Sequence, residues 1–114
     1  MSRNPKAILV DLFDAAVRAA QPEYVLSAFL PEKPKGKIVV IGFGKSAAAM
    51  GKAVEDHWDG DVEGVVLTRY GHSVPCSQIK VLEASHPVPD QAGIDGTREI
   101  LAAVQGLSKD DLVL

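Results

Sequence analysis

Three short clusters in this sequence bring together residue types that hold anions and move protons. The first is Gly42-Phe43-Gly44 followed at once by Lys45 and Ser46. Glycine lets a ligand approach the backbone closely, the N–H groups that open a helix favour negative charge, and a lysine there adds a cation. The second is "TRYGH", Thr68–His72. Its Arg69 suits two-pronged recognition of carboxylate or phosphate, and its His72 could donate a hydrogen bond or carry a proton. The third is "EASHPVPD", Glu83–Asp90. Two prolines stiffen that loop and limit its entropy loss on binding, which would hold Glu83, His86 and Asp90 in a fixed arrangement.

The glycine turn admits three chemistries. A Walker A loop requires G-x-x-x-x-G-K-[ST]. Gly44-Lys45-Ser46 supplies its ending, but its first glycine would fall on Val39, inside an apolar run, so no loop is long enough to wrap a triphosphate. A dinucleotide fingerprint, G-x-G-x-x-G/A, is matched by Gly42–Ala47. The acidic residue expected near the end of the second strand for the ribose hydroxyls is replaced there by Thr68-Arg69-Tyr70, and Arg69 could instead meet a 2′-phosphate. The third chemistry is a phosphate or carboxylate site assembled from several strand ends. For single residues plainer roles compete: a surface ion pair for Arg69, a loop hydrogen bond for His86, a helix cap for Asp90.

The elements that must position these residues can be read from periodicity. Asn4 and Pro5 read as the cap and first position of a helix, in which Ile8, Leu9, Leu12, Phe13, Ala16, Val17 and Ala20 follow helical spacing. Pro22 begins a second short helix with Tyr24, Val25, Ala28 and Phe29 inward. "LPEKPKGK" breaks the chain, separating a helical arm and linker (1–36) from an alternating region (37–114). "KIVVIG" reads as a strand buried on both faces, Lys45–Trp58 as a helix with Ala49, Ala53 and either Met50 or Val54 inward, and Gly64–Gly71 and Ile79–Ser85 as strands. A helix over roughly 90–105, with Ile94, Ile100, Leu101 and Val104 apolar, leads to a last strand in "DLVL". Strand–helix alternation with short turns predicts an α/β fold, a Rossmann-like parallel sheet with flanking helices, preceded by the helical arm. Adjacent parallel strands would bring the three clusters into one crevice. The chain stops inside that last strand, so a fragment of a larger two-domain enzyme is expected.

Composition excludes several classes. The net charge of −3, from 12 basic and 15 acidic residues without long blocks, makes no electrostatic case for nucleic acid or an anionic membrane. No apolar stretch approaches the roughly 20 residues of a membrane helix, and Asp11 and Asp14 interrupt the apolar segment a signal peptide needs. A lone cysteine, Cys76, excludes an internal disulfide and fits a reducing, cytoplasmic setting. His57, His72 and His86 have no zinc-like spacing, and His57 reads as a charge at a helix C-terminus. No metal site is expected, and Asp110-Asp111 reads as a turn.

The blocks "GFGKSAAAMGKAVE", "LTRYGHSVP" and "LEASHPVPDQAGIDGTREIL", in this order and spacing, resemble the N-terminal portion of the glycerate 2-kinases of bacteria and animals. Some members of that family bear the name hydroxypyruvate reductase, from tartrate-degradation operons. The resemblance implies transfer of the γ-phosphoryl group of ATP to the 2-hydroxyl of D-glycerate, normally with Mg²⁺. It also implies a longer chain, with a glycine- and serine-rich segment after the last strand and a separate C-terminal domain that would complete the site. Lys45 aligns with the family's lysine in the same turn and is the expected catalytic residue. Gly42, Gly44, Ser46, Arg69, His72, His86 and Asp90 are the expected substrate-binding residues. The N-terminal helices are expected to pack internally or against a second subunit, and the fragment alone is expected to be inactive. An NADP-dependent reductase and a non-catalytic anion-binding or assembly module stand as alternatives.

Overall fold

The computed structural model describes residues 4–114. Helix α1 (Pro5–Arg18) starts as its sequence requires: the Asn4 side chain accepts a hydrogen bond from the Lys6 N–H, and Pro5 occupies the first turn. Helix α2 (Pro22–Val25) continues as a 3₁₀ turn, Leu26–Phe29. Strands β1 (Ile38–Phe43), β2 (Glu63–Arg69), β3 (Ile79–Ala84) and β4 (Leu112–Val113) alternate with helices α3 (Ala47–His57) and α4 (Gln91–Ala103). All pairings are parallel, in the order β3-β2-β1-β4. This is the first part of the doubly wound order 3-2-1-4-5-6, with its direction reversing between β1 and β4. The expected α/β architecture is therefore present.

The β-branched run at β1 forms the centre of the core because both its faces are covered. Ile38, Val40, Val66 and Ile79 pack with Ala47 and Val54 of α3. On the opposite face α4 comes close enough that a Cβ on Gly96 would lie 2.7 Å from Leu67. Gly64 is required by a closer approach still: a Cβ there would sit 1.9 Å from the carbonyl oxygen of Val40, its partner in the β1–β2 register. The linker is tied to the last strand by Asp111, whose carboxylate accepts the N–H groups of Lys37 and Ser108. Those bonds hold its carboxyl below the usual carboxylate range, the Ser108 N–H contributing most. Asp110-Asp111 thus closes a turn, as its sequence suggests.

Helix α1 forms as its periodicity requires, but most of its apolar stripe stays uncovered: Leu9, Leu12 and Phe13 are 67%, 62% and 68% exposed, and only its end, at Val17 and Ala20, borders the segment that follows. Helical periodicity specifies that a face needs a cover, not that a particular segment supplies it. In the next segment Tyr24, Val25, Ala28 and Phe29 are exposed, and Leu26 and Leu30 meet the core instead. The reason is the switch at Leu26 to three residues per turn, which rotates the buried face away from its α-helical register. In α3 the inward residues are Ala47, Ala48, Gly51, Ala53 and Val54; Met50 faces out and Ala49 is half-buried. In α4, Ile94 and Leu101 are exposed and Ile100 is buried. His57 does end α3, and its Nε2 lies 3.0 Å from the Glu23 carbonyl oxygen of α2.

Candidate functional site

A parallel sheet places the carboxyl ends of its strands on one edge, so the segments after β1, β2 and β3 converge there. The turn after β1 is built from within. Gly44 adopts φ +119°, a conformation that favours glycine. Its N–H donates to the Leu67 carbonyl at 3.0 Å, and its own carbonyl accepts the Ala47 N–H at 3.2 Å. The carbonyl of Lys45 accepts the Thr68 hydroxyl at 3.3 Å and lies 3.4 Å from His72 Nδ1. Thr68 is only 2% exposed, so β2 fixes the backbone of the turn from beneath and leaves the Lys45 side chain at the surface. Of the N–H groups expected to meet a ligand, that of Gly44 is taken by Leu67. Those of Lys45 and Ser46 make no backbone hydrogen bond among the described residues.

Two cavities flank this turn. One, of about 550 Å³, opens between the strand ends and α4; its polar lining includes Lys45, Arg69, Ser85, His86, Thr97 and Arg98. Arg98 is neutralised by Asp95, 3.1 Å away. Lys45 and Arg69 form no ion pair among the described residues, which leaves two uncompensated cations on a single cavity. The other, of about 850 Å³, lies where the sheet order reverses between β1 and β4. Gly42 and Ser46 line it with the apolar Leu26, Phe29, Leu30 and Met50. Gly44, Lys45 and His86 border both cavities.

The structure thus brings Gly44, Lys45, Arg69 and His86 together, and places Gly42 and Ser46 on the far side of the turn. His72 and Asp90 line neither cavity. The His72 ring rests against the Lys45 carbonyl, and the His72 backbone N–H donates to the Arg69 carbonyl at 3.1 Å. Asp90 caps α4, one carboxylate oxygen accepting the N–H groups of Gly93 (3.0 Å) and Ser85 (3.2 Å). Its other oxygen accepts the Tyr70 hydroxyl at 2.8 Å. The Tyr70 bond, then the Ser85 N–H, holds the Asp90 carboxyl below the usual range, and the same bond raises the Tyr70 phenol. Glu83 is likewise engaged, accepting the Gly71 N–H at 2.9 Å.

Sequence reasoning missed Thr68, Tyr70, Thr97 and Arg98 as parts of this region. Thr97 and Arg98 stand three and four residues after Ile94, the spacing of one helix face, so their shared orientation was available in the pattern. Cys76 is half-buried, and burial pushes its thiol up, consistent with an unreactive side chain. Among the described residues no group of three or more His, Cys, Asp or Glu side chains could hold a metal ion. No helix among them is long and apolar enough to cross a membrane.

Residues 8–114 match the family described as "Domain of unknown function (DUF4147)". A protein of Agrobacterium vitis with the provisional name hydroxypyruvate reductase is 52% identical over 112 residues, covering 97% of this chain and 26% of that protein. A glycerate 2-kinase of Pyrococcus horikoshii is 42% identical over 69% of this chain and 18% of its own length. A D-glycerate 2-kinase of Thermotoga maritima is 32% identical over 96% of this chain and 27% of its own. The solved structure of the Thermotoga glycerate kinase superposes with a TM-score of 0.78 at 30% identity, over 95% of this chain and 27% of that one. A Pyrococcus horikoshii crystal structure gives 0.80 at 31% identity, over 99% and 28%. The chain spans about a quarter of the length of most of these relatives.

Proposed function

This chain belongs to the DUF4147 family and its relatives include glycerate kinases, and we propose that it is the N-terminal part of a glycerate 2-kinase. The reaction is transfer of the ATP γ-phosphoryl group to the 2-hydroxyl of D-glycerate, in the cytoplasm. Residues 37–114 supply the first part of a Rossmann-like domain, residues 1–36 supply its arm, and the remaining C-terminal part of the chain supplies the opposite wall. The observation that carries the reading is the pair of uncompensated cations, Lys45 and Arg69, on one cavity at the strand ends.

Phosphoryl transfer depends mainly on position and charge neutralisation. ATP would supply the group transferred; this chain's residues hold what it is transferred to. Arg69 offers a planar two-pronged donor to the substrate carboxylate. Lys45, with the N–H groups of Lys45 and Ser46, neutralises charge on the moving phosphoryl group from the helix N-terminus. His86, bordering both cavities, forms the wall between them. A Mg²⁺ ion accompanies ATP in this proposal, but the described residues offer no acidic cluster to hold it. Phosphorus NMR of the product tests the assignment: a 2-phosphoglycerate resonance is expected, and phosphorylation at another hydroxyl would contradict it.

The Agrobacterium relative's name and the G-x-G-x-x-A turn favour a second reading, an NADP-dependent hydroxypyruvate reductase. The end of β2 lacks the ribose-binding acid, and the Gly44 N–H is already committed to Leu67. Both features favour the kinase.

A further inference from the structure

We infer that Tyr70 and Asp90 form a latch between the end of β2 and the β3–α4 loop, and that this latch sets Arg69 and His86 in position opposite Lys45. The inference rests on the kinase reading for its substrate. Both residues stand outside the cavities, and each is close in sequence to one that lines them: Tyr70 follows Arg69, and Asp90 is bonded to Ser85, which precedes His86. Four hydrogen bonds converge on this junction. The Tyr70 N–H donates to the Ala84 carbonyl at 3.0 Å, extending the β2–β3 ladder one step past the strands. The Tyr70 hydroxyl then crosses to Asp90 Oδ2 at 2.8 Å, while Asp90 Oδ1 accepts from Ser85 at 3.2 Å and Gly93 at 3.0 Å. Ser85 and Asp90 thereby close the 85–90 loop on itself, and Tyr70 fastens the closed loop to β2.

A plain helix cap would need only the Gly93 bond. The Tyr70 bond adds nothing to capping and joins two cavity-lining segments from different strands. The β2–β3 ladder sets Arg69 against Ala84, and the Tyr70–Asp90 bond carries that registration on to His86, two residues beyond the ladder. Tyr70 and Asp90 are positioning residues: misplacing a substrate-binding group by about 1 Å can cost roughly 10²-fold in rate.

The test uses the full natural chain, with Tyr70→Phe, Asp90→Ser (which keeps a capping hydroxyl but cannot reach Tyr70) and the double variant. Amide exchange across residues 84–90 and kcat/KM for D-glycerate are measured together. Tyr70→Phe is expected to speed exchange in this loop, leave the thermal midpoint nearly unchanged and lower kcat/KM by about 10- to 100-fold. Asp90→Ser, which also gives up the Ser85 bond, is expected to lose at least as much, with no further loss when Tyr70→Phe is added, because the Tyr70 bond is already gone. Unchanged exchange, a looser loop with unchanged kcat/KM, or additive losses would each overturn the latch. A wild-type chain that makes no ADP with D-glycerate would sink the kinase reading instead. Loop protection by inorganic phosphate, present in wild type and absent in Tyr70→Phe, would then support the latch; equal protection in both would refute it.

Discussion

Lys45→Ala removes a cation from the candidate site while leaving the turn that carries it intact. The turn is held by backbone atoms: the Gly44 N–H on Leu67, and the Lys45 carbonyl on Thr68 and His72. None of these bonds uses the lysine side chain, which is exposed and forms no ion pair among the described residues. Stability should therefore change by no more than about 0.5 kcal/mol, as for other exposed positions. The catalytic loss is larger. Two unit charges about 4 Å apart interact by ~4 kcal/mol at an effective dielectric of ~20, and by ~1 kcal/mol in bulk water. In the proposed kinase, where the rest of the chain closes the cavity rim, the value falls toward the first, near the roughly 2.7–4 kcal/mol lost with one preorganised oxyanion donor. Turnover should fall about 10²- to 10³-fold. ADP release at saturating D-glycerate, read with the thermal midpoint, measures both quantities. A folded variant with near-normal kcat would refute the role of Lys45 in the transition state. A raised KM with unchanged kcat would reduce the lysine to uniform binding.

Gly64→Ala should destabilise the fold by at least about 3 kcal/mol in urea unfolding, because its Cβ would overlap the Val40 carbonyl across the central strand pair. The linker clasp should be sensitive to acid. The Asp111 carboxyl is lowered in the folded chain, so its contribution is present above the ordinary aspartate value of about 3.9 and is lost as pH falls through the lower folded value. Urea midpoints of wild type and Asp111→Asn should differ at neutral pH and converge below about pH 4; a constant gap would contradict this. Cys76, raised by burial, should react with iodoacetamide more slowly in the folded chain than in urea, and equal rates would contradict its placement.

The sheet and its crevice were legible because their signals are local. A β-branched run at 38–41, glycines at the strand exits and a cap at Asp90 specify strand, turn and helix without reference to distant residues. The right-handed parallel rule then carries the three clusters to one edge. What escaped depends on contacts between elements. Leu26 and Leu30 face the core because the helix tightens there, a change that no apolar spacing announces. His72 and Asp90 have the chemistry of ligands in the sequence, yet in the fold one braces the Lys45 carbonyl and the other ties Tyr70, Ser85 and Gly93. The N–H of Gly44 looked available to an anion and is instead consumed by the neighbouring strand. Thr68 reads as an ordinary strand residue, and only its burial beneath the turn reveals that it supports Lys45.

The most direct measurement follows two reactions of the full natural chain side by side: ADP formation from ATP–Mg²⁺ with D-glycerate, and NADPH oxidation with hydroxypyruvate. A kinase predicts ADP that appears only when D-glycerate is present, with no oxidation of NADPH. NADPH oxidation without ADP formation would make the glycine turn a dinucleotide site and contradict the account.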